Sequence, residues 1–162
     1  MFEDITNEIG HRLVAAGQTV SVAESSTGGL ISANLLSVAG ASQFFMGGSV
    51  VYTLASRRAY LDLDRERLKD LKPLTEAMVL EFAASARVKL NATWGIAELG
   101  AAGPAGTPYG HGPGVSVIGI VGPKSDSCTV ETDSSDRIEN MRAFTKAGLK
   151  LLAKVLDTSA DS

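Results

Sequence analysis

Three consecutive hydroxyl side chains, Ser25, Ser26 and Thr27, stand between a segment rich in β-branched residues and the glycine pair Gly28 and Gly29. An apolar segment follows, so the order predicts a strand, a turn and the start of a helix. N–H groups at a helix N-terminus lack intrahelical acceptors and carry a positive dipole end. Such a turn can hold an anion or an oxyanion beside a hydroxyl nucleophile. Ordinary N-capping produces the same pattern, so both interpretations stay open.

The two segments richest in glycine are also the segments with almost no charge. Between Glu24 and Arg57 there is no Asp, Glu, Lys, Arg or His, and between Glu98 and Lys124 the exception is His111. Most of the 17 glycines lie in these two segments. Glycine permits close approach of the backbone to a ligand, so the segments are either loops that meet around a small molecule or buried strands joined by tight turns.

The elements that must position these residues follow from hydrophobic periodicity. We predict helices over 2–17, 30–37, 54–61, 75–90 and 136–156, and strands over 19–23, 48–53, 94–99, 115–121 and 128–132. Because helices and strands alternate, the fold class is α/β: a three-layer α/β/α sandwich around a mostly parallel, mixed sheet of about five strands. A short connection predicts a hairpin between the last two strands.

The helices also predict which side chains are buried. We expect residues 1–162 to form one domain that ends in a frayed polar tail at 157–162. Buried positions are predicted on the fourth and last helices at Met78, Phe82, Val88, Ile138, Met141, Phe144, Leu152 and Val155.

Composition excludes several classes of function. The 15 Lys and Arg against 18 Asp and Glu leave a net charge of −3, without a basic run, which argues against a nucleic-acid partner. No apolar segment reaches the ~20 residues that span a bilayer, so no membrane partner is expected, and no basic segment typical of a secretory signal is present. Cys128 has no partner for an internal disulfide, which fits a reducing cytoplasmic location. No His, Cys, Asp or Glu cluster has metal-ligand spacing, so no metal is expected.

Three blocks of sequence resemble one known family. Residues 22–30 resemble the Ala-Glu-Ser-Cys-Thr-Gly-Gly hallmark of the CinA C-terminal domain family. Residues 47–52 resemble its Gly-Gly-x-Val-x-Tyr block, and residues 103–106 resemble its Ala-Gly-Pro-x-Gly loop. The blocks follow the family's order and spacing over nearly the whole chain. The resemblance implies hydrolysis of the amide of nicotinamide mononucleotide to nicotinic acid mononucleotide and ammonia, without metal or cofactor.

The resemblance also implies roles for individual residues. The family's nucleophile falls on Ser25, its catalytic tyrosine on Tyr52, and the lysine that serves as general base on Arg57. The substrate-binding residues expected around them are Ser26, Thr27, Gly28, Gly29, Gly48, Glu98, Gly100, Gly103, Gly106 and His111.

Arg57 departs from the family in a way that bears on catalysis. Arginine stays protonated in proteins, so it cannot act as the base, although its planar fork suits a phosphate or carboxylate. The chain also has Ser26 where the family has cysteine, Glu98 and Leu99 where it has Val-Thr, and His111 where it has lysine. We expect Arg57 and Glu98 to pair at the edge of a pocket where Ser25 and Tyr52 converge.

Two functions from different classes are open at this point. The first is an amidohydrolase acting on a pyridine nucleotide through Ser25, with N–H groups of the second helix stabilising the oxyanion. The second is a pyridine-nucleotide-binding module whose catalysis is impaired by Arg57. A structural or partner-binding protein is a third alternative, and the sequence leaves a homo-oligomer open.

Overall fold

A mixed sheet forms the middle layer of the computed structural model, which describes residues 1–159. Its elements are α1 (Glu3–Ala16), β1 (Val20–Glu24), α2 (Leu30–Leu36), β2 (Phe45–Val50), α3 (Leu54–Tyr60), α4 (Arg65–Leu68), α5 (Glu76–Lys89), β3 (Trp94–Ala101), β4 (Val115–Val121), β5 (Asp126–Glu131) and α6 (Arg137–Ser159), with a 3₁₀ turn at Ala41–Gln43. The strand order is β2-β1-β3-β4-β5.

Strand direction divides the sheet into two halves. Strand β1 pairs in parallel with β2 and with β3, whereas β4 is antiparallel to both β3 and β5. The predicted α/β class, the mixed sheet and the hairpin between the last two strands are therefore confirmed. Because β3 and β5 both run in the direction of β1, the carboxyl ends of these three strands lie at one edge of the sheet.

Helices cover both faces of the sheet. On one face, α1, α2 and α6 bury a cluster that includes Leu13, Leu35 and Leu152 against the strands. On the other face, α5 buries Val79 and Phe82 against a smaller cluster. Each large aliphatic side chain buried in this way contributes about 1.5–3 kcal/mol relative to exposure. Within residues 1–159, no helix is long and apolar enough to cross a bilayer.

Helix boundaries follow local capping chemistry. The side chain of Thr75 accepts a hydrogen bond from the Met78 N–H, which begins α5 as predicted. Thr53 and Ser56 form a reciprocal capping box at the start of α3. Gly17 ends α1 in the left-handed conformation, with φ of 64°, so the predicted end of the first helix is confirmed.

Two of the predicted core positions are wrong. Val88 is 74% exposed and Ile138 is 70% exposed, whereas Phe82, Phe144, Leu152 and Val155 are buried as predicted. The buried face of α5 uses small residues, Ala83 and Ala86, so the helix lies close to the sheet and Val88 falls on its outer face. Ile138 lies in the first turn of α6.

The end of the chain also differs from the prediction. Helix α6 continues through Ser159, three residues beyond its predicted end at 156. Asp157 accepts a hydrogen bond from Arg12 of α1 at 2.6 Å, an exposed ion pair between the first and last helices. Residues 160–162 of the predicted tail lie outside the described part of the chain.

Candidate functional site

Two buried carboxylates organise the turn between β1 and α2. Glu24 ends β1, and Glu98 is its in-register neighbour on β3. Both residues are fully buried. Their side chains lie on the sheet face that α2 and α6 cover. Glu24 follows Ala23, and Glu98 lies between Ala97 and Leu99, and these three neighbours belong to the cluster under α5 on the opposite face.

The Glu24 carboxylate caps the start of α2. It accepts hydrogen bonds from the N–H groups of Gly29 at 2.8 Å, Ile31 at 3.1 Å and Ser32 at 2.9 Å. The hydroxyls of Thr27 and Ser32 also donate to it, each at 2.8 Å. A negative charge at a helix N-terminus is favourable, so these hydrogen bonds to Glu24 stabilise the junction between the turn and α2.

The Glu98 carboxylate holds the turn itself. Its Oε2 accepts from the N–H groups of Ser25 at 3.1 Å and Thr27 at 3.0 Å, and from the Thr27 hydroxyl at 3.1 Å. Its Oε1 accepts from the hydroxyls of Ser26 at 2.5 Å and Ser116 at 2.8 Å. Burial raises the pKa of Glu98, and the hydrogen bonds oppose that rise in part.

These contacts change the expected use of the helix N-terminus. The N–H groups of residues 25, 27, 29, 31 and 32 donate to the chain's own two glutamates, so they are not available to an oxyanion. Those of Gly28 and Leu30 donate to carbonyls within the turn. Among residues 25–32, the Ser26 N–H is the one without an acceptor in the described part of the chain.

A polar cavity of about 170 Å³ opens beside this turn. It is lined by Ser26, Tyr52, Gly100, Ala101, Ala102, Gly103, Ala105, Gly106, Thr107, Pro108 and Arg137. The structure therefore brings Tyr52 and the 100–106 loop together, as the sequence suggested, but the serine that lines the cavity is Ser26. The Ser25 hydroxyl has no hydrogen-bond partner within residues 1–159.

Arg137 is the charged residue of the pocket, and the sequence did not predict it. Its guanidinium donates to the Gly103 carbonyl at 2.6 Å and to the Tyr52 hydroxyl at 3.3 Å. It is the first residue of α6, which follows β5 at the sheet edge where β1 and β3 also end. The predicted β4–β5 hairpin could have indicated this position. Strand β4 runs opposite to β3 and β5 reverses again, so the start of α6 comes back to the edge where β1 and β3 end.

Arg57 lies elsewhere, in a cavity of about 720 Å³ between α3, α4 and α5. Its Nε donates to the Val51 carbonyl at 3.2 Å, and its guanidinium lies 5.3 Å from the centre of the Phe82 ring. Burial lowers the pKa of Arg57, and Tyr109 raises it in part. Arg57 and Tyr52 thus line two different cavities, and the structure does not bring them into the one pocket that the sequence suggested.

The predicted ion pair between Arg57 and Glu98 is also wrong. Among the described residues, Glu98 has hydroxyl and N–H donors as partners and no cation. The reason lies in the alternation of side chains along the strands. Glu98 points toward α2, whereas Arg57 stacks on Phe82 of α5, on the opposite face of the sheet.

Three other predicted binding residues, Gly48, Gly100 and His111, make structural contacts. A Cβ on Gly48 would lie 2.2 Å from the Ser32 hydroxyl, so this glycine allows α2 to approach β2. A Cβ on Gly100 would lie 2.4 Å from the Ser26 hydroxyl and 2.6 Å from Glu98 Oε1. His111 closes a turn by accepting from the Thr107 N–H at 2.8 Å, and it does not line the cavity. The described residues contain no group of three or more His, Cys, Asp or Glu that could hold a metal ion.

The fold and site define an α/β protein in which a carboxylate-braced serine turn faces a glycine-rich loop. A sequence model of the CinA C-terminal domain matches residues 2–156. The chain belongs to the CinA C-terminal domain family.

Relatives and solved structures agree with this assignment. The CinA-like protein of Nostoc sp. (strain PCC 7120 / SAG 25.82 / UTEX 2576) is 32% identical over 121 residues, 75% of this chain and 28% of that protein. The CinA-like protein of Prochlorococcus marinus (strain MIT 9515) is 29% identical over 157 residues, 95% of this chain and 36% of that protein. The chain thus spans about a third of the length of these relatives.

Two crystal structures share the fold. A CinA superfamily protein from Klebsiella pneumoniae 700603 has a TM-score of 0.88 at 24% identity, covering 96% of this chain and 98% of that one. A CinA superfamily protein from Enterobacter cloacae has a TM-score of 0.87 at 29% identity, covering 95% of this chain and 91% of that one.

Proposed function

We propose that the chain is an amidohydrolase that takes nicotinamide mononucleotide in the cavity between Ser26, Tyr52 and Arg137. The observation that carries this proposal is the set of groups that face one small cavity: a serine turn, an exposed tyrosine, an arginine and a glycine-rich loop. A serine hydroxyl is the kind of nucleophile that attacks a carboxamide, and the acyl-enzyme that forms is then released by water.

The chemistry of the cavity also matches the rest of this substrate. Arg137 offers a planar, permanently charged donor group, which suits a phosphate monoester. Tyr52 is 54% exposed, so its ring offers a face to the cationic pyridinium ring of the nucleotide. Arg137 thereby takes over the phosphate-binding role that the sequence suggested for Arg57.

A binding module with impaired catalysis is the second candidate. Arg57 favours it, because an arginine at the position of the family's lysine cannot accept a proton. The unpartnered Ser25 hydroxyl favours it as well, since no base lies within hydrogen-bond distance in the described part of the chain. Release of ammonia from nicotinamide mononucleotide by the purified protein separates the two functions.

Binding is tested by calorimetry with nicotinamide mononucleotide and with nicotinamide riboside, which lacks the phosphate. We expect Arg137→Ala to weaken binding of the mononucleotide about 10- to 100-fold and to change binding of the riboside little, because a charge-assisted hydrogen bond contributes about 1.5–3 kcal/mol. Arg57→Ala is the matched control and should leave both affinities near those of the parent. A larger loss in Arg57→Ala than in Arg137→Ala would contradict the assignment of the phosphate site.

A further inference from the structure

Ser26 and Glu98 form a contact that the resemblance to the family does not account for. The Ser26 hydroxyl donates to Glu98 Oε1 at 2.5 Å. The family's motifs have cysteine and valine at these two positions, so the pair departs from the family's pattern. We propose that Ser26 is the nucleophile of this protein and that Glu98 is the base that takes its proton.

Ser26 has the surroundings that a nucleophile needs. It lines the cavity beside Tyr52 and Arg137, whereas Ser25 does not. Its own N–H is the unoccupied donor of the turn, and the N–H of a nucleophilic serine is a common part of an oxyanion hole. The other N–H groups of the turn donate to Glu24, to Glu98 or to carbonyls of the turn itself, so the geometry leaves one donor where the oxyanion forms.

Glu98 can gain and lose a proton without leaving a buried polar group unpaired. When Glu98 is ionised, it accepts hydrogen bonds from Ser26, Ser116 and Thr27. When Glu98 is protonated, the Ser116 hydroxyl can turn to the Leu99 carbonyl at 3.1 Å and accept from Glu98 instead. An unpaired buried donor or acceptor is costly, so this freedom to reverse is what a buried base requires.

Thr27 provides the same freedom at the other oxygen of Glu98. Its hydroxyl lies 3.1 Å from Glu98 Oε2 and 2.8 Å from Glu24 Oε1, and its single proton can serve either carboxylate.

Glu24 is the titratable group that faces Glu98 from β1. From α6, Arg137 is held by Gly103 and Tyr52. Burial raises the pKa of Glu98, which makes its carboxylate a stronger base than an exposed one.

The reaction balances with these groups alone. The Ser26 oxygen forms a bond to the carboxamide carbon, and its proton passes to Glu98. The C–N bond then breaks, and Glu98 returns the proton to the leaving nitrogen, which departs as ammonia. Water attacks the acyl-enzyme and gives its proton to Glu98, which passes it back to Ser26 as the acid leaves.

The identity of the amide rests on the proposed function, so the test avoids that substrate. A fluorophosphonate reacts with an activated serine: the O–P bond forms, fluoride leaves, and the serine proton goes to the base. We expect the label on Ser26, located by peptide mass mapping of the unmodified protein. Label on Ser25, or no label, would overturn the proposal whether or not nicotinamide mononucleotide is a substrate.

Glu98→Gln keeps the size of the side chain and removes the base. We expect its labelling rate to fall about 100-fold, the lower end of what general-base catalysis supplies. Glu76→Gln is the matched control, because Glu76 also accepts from two hydroxyls, those of Ser127 and Thr129, at the start of α5. Circular dichroism checks that both variants fold, and an equal rate in the two would show that Glu98 only braces the turn.

The pH dependence of the labelling rate separates the two roles of Glu98, because a residue that only stabilises the turn would not produce it. In the unmodified protein, the labelling rate should rise with pH as Glu98 ionises, and it should level off above the pKa of Glu98. In Glu98→Gln this rise should be missing. A rise that persists in the variant would assign the ionisation to another group and would overturn the role of Glu98.

Discussion

Glu98 is the acceptor for five hydrogen-bond donors. It accepts hydrogen bonds from two N–H groups and three hydroxyls, all of them buried or nearly so. The structure has no buried side-chain nitrogen or oxygen without a partner among the described residues. The carboxylate is therefore a structural element of the turn as well as a candidate base.

Removing this carboxylate should destabilise the protein. We expect Glu98→Val, which restores the residue type of the family, to lower the free energy of unfolding by about 3–5 kcal/mol, because each unsatisfied buried donor costs about 1–3 kcal/mol. Urea unfolding followed by circular dichroism measures the change. Glu98→Gln should lose less, since its amide oxygen still accepts, and equal losses in the two variants would contradict this account.

The same residues show what the sequence could predict about the site. The serine turn, Tyr52 and the glycine-rich loop were found because their chemistry lies in short contiguous patterns. Arg137 was missed because its role depends on the position of α6 after two reversals of the sheet. The predicted pairing of Arg57 with Glu98 was wrong, because the separation of two residues in the sequence does not reveal on which face of a sheet each side chain lies.

At the scale of elements, periodicity located nearly every helix and strand, and errors concentrated at boundaries. Strand β2 begins at Phe45, three residues before its predicted start, because pairing with β1 extends over two glycines, Gly47 and Gly48, that reduce the strand signal. Val88 was misplaced because α5 buries alanines, and a hydrophobic pattern gives alanine little weight. Packing distance, rather than hydrophobicity, selects the buried face there.

Two threonine caps should differ in their effect because their helices differ in burial. Thr75→Ala should lower the free energy of unfolding by about 1 kcal/mol, the usual cost of an N-cap. Its helix, α5, packs along the sheet and unfolds with it. Thr53→Ala should leave global stability almost unchanged, since α3 contains no buried residue.

Hydrogen exchange distinguishes the two cases. In Thr53→Ala, amides of α3 should exchange faster while those of β1 and β3 keep their protection, because a helix on the surface opens locally. If Thr53→Ala lowered the protection of the strands as well, α3 would be part of the cooperative core.

At the scale of the whole molecule, stability should depend on pH through Glu98. Burial raises its pKa in the folded state, so the folded protein binds this proton more tightly than the unfolded chain does. Stability from this group is fully present at low pH, below the pKa of the unfolded chain, and is lost as pH rises through the folded-state pKa. Asp126 acts in the opposite direction, because the hydrogen bond from Lys154 lowers its pKa, but this ion pair lies at the surface, where solvent and salt screen it.

Urea unfolding across a pH series checks this dependence. The unmodified protein should lose stability as pH rises from the acid range toward neutrality, and Glu98→Gln should show a flatter curve because it has no proton to release. The same slope in both proteins would mean that Glu98 does not titrate in that range.

The topology of the sheet also orders the events by which the chain folds. Strands β4 and β5 are neighbours in sequence and form a hairpin, whereas β1 pairs with β3 across the intervening residues 25–93. Closing so long a loop costs more entropy than closing a hairpin, and non-local pairing is slow. Ser26 lies at the start of that segment and Glu98 lies on β3 just after its end, so we expect their contact to form late. The serine that we propose as the nucleophile would then gain its base only near the end of folding.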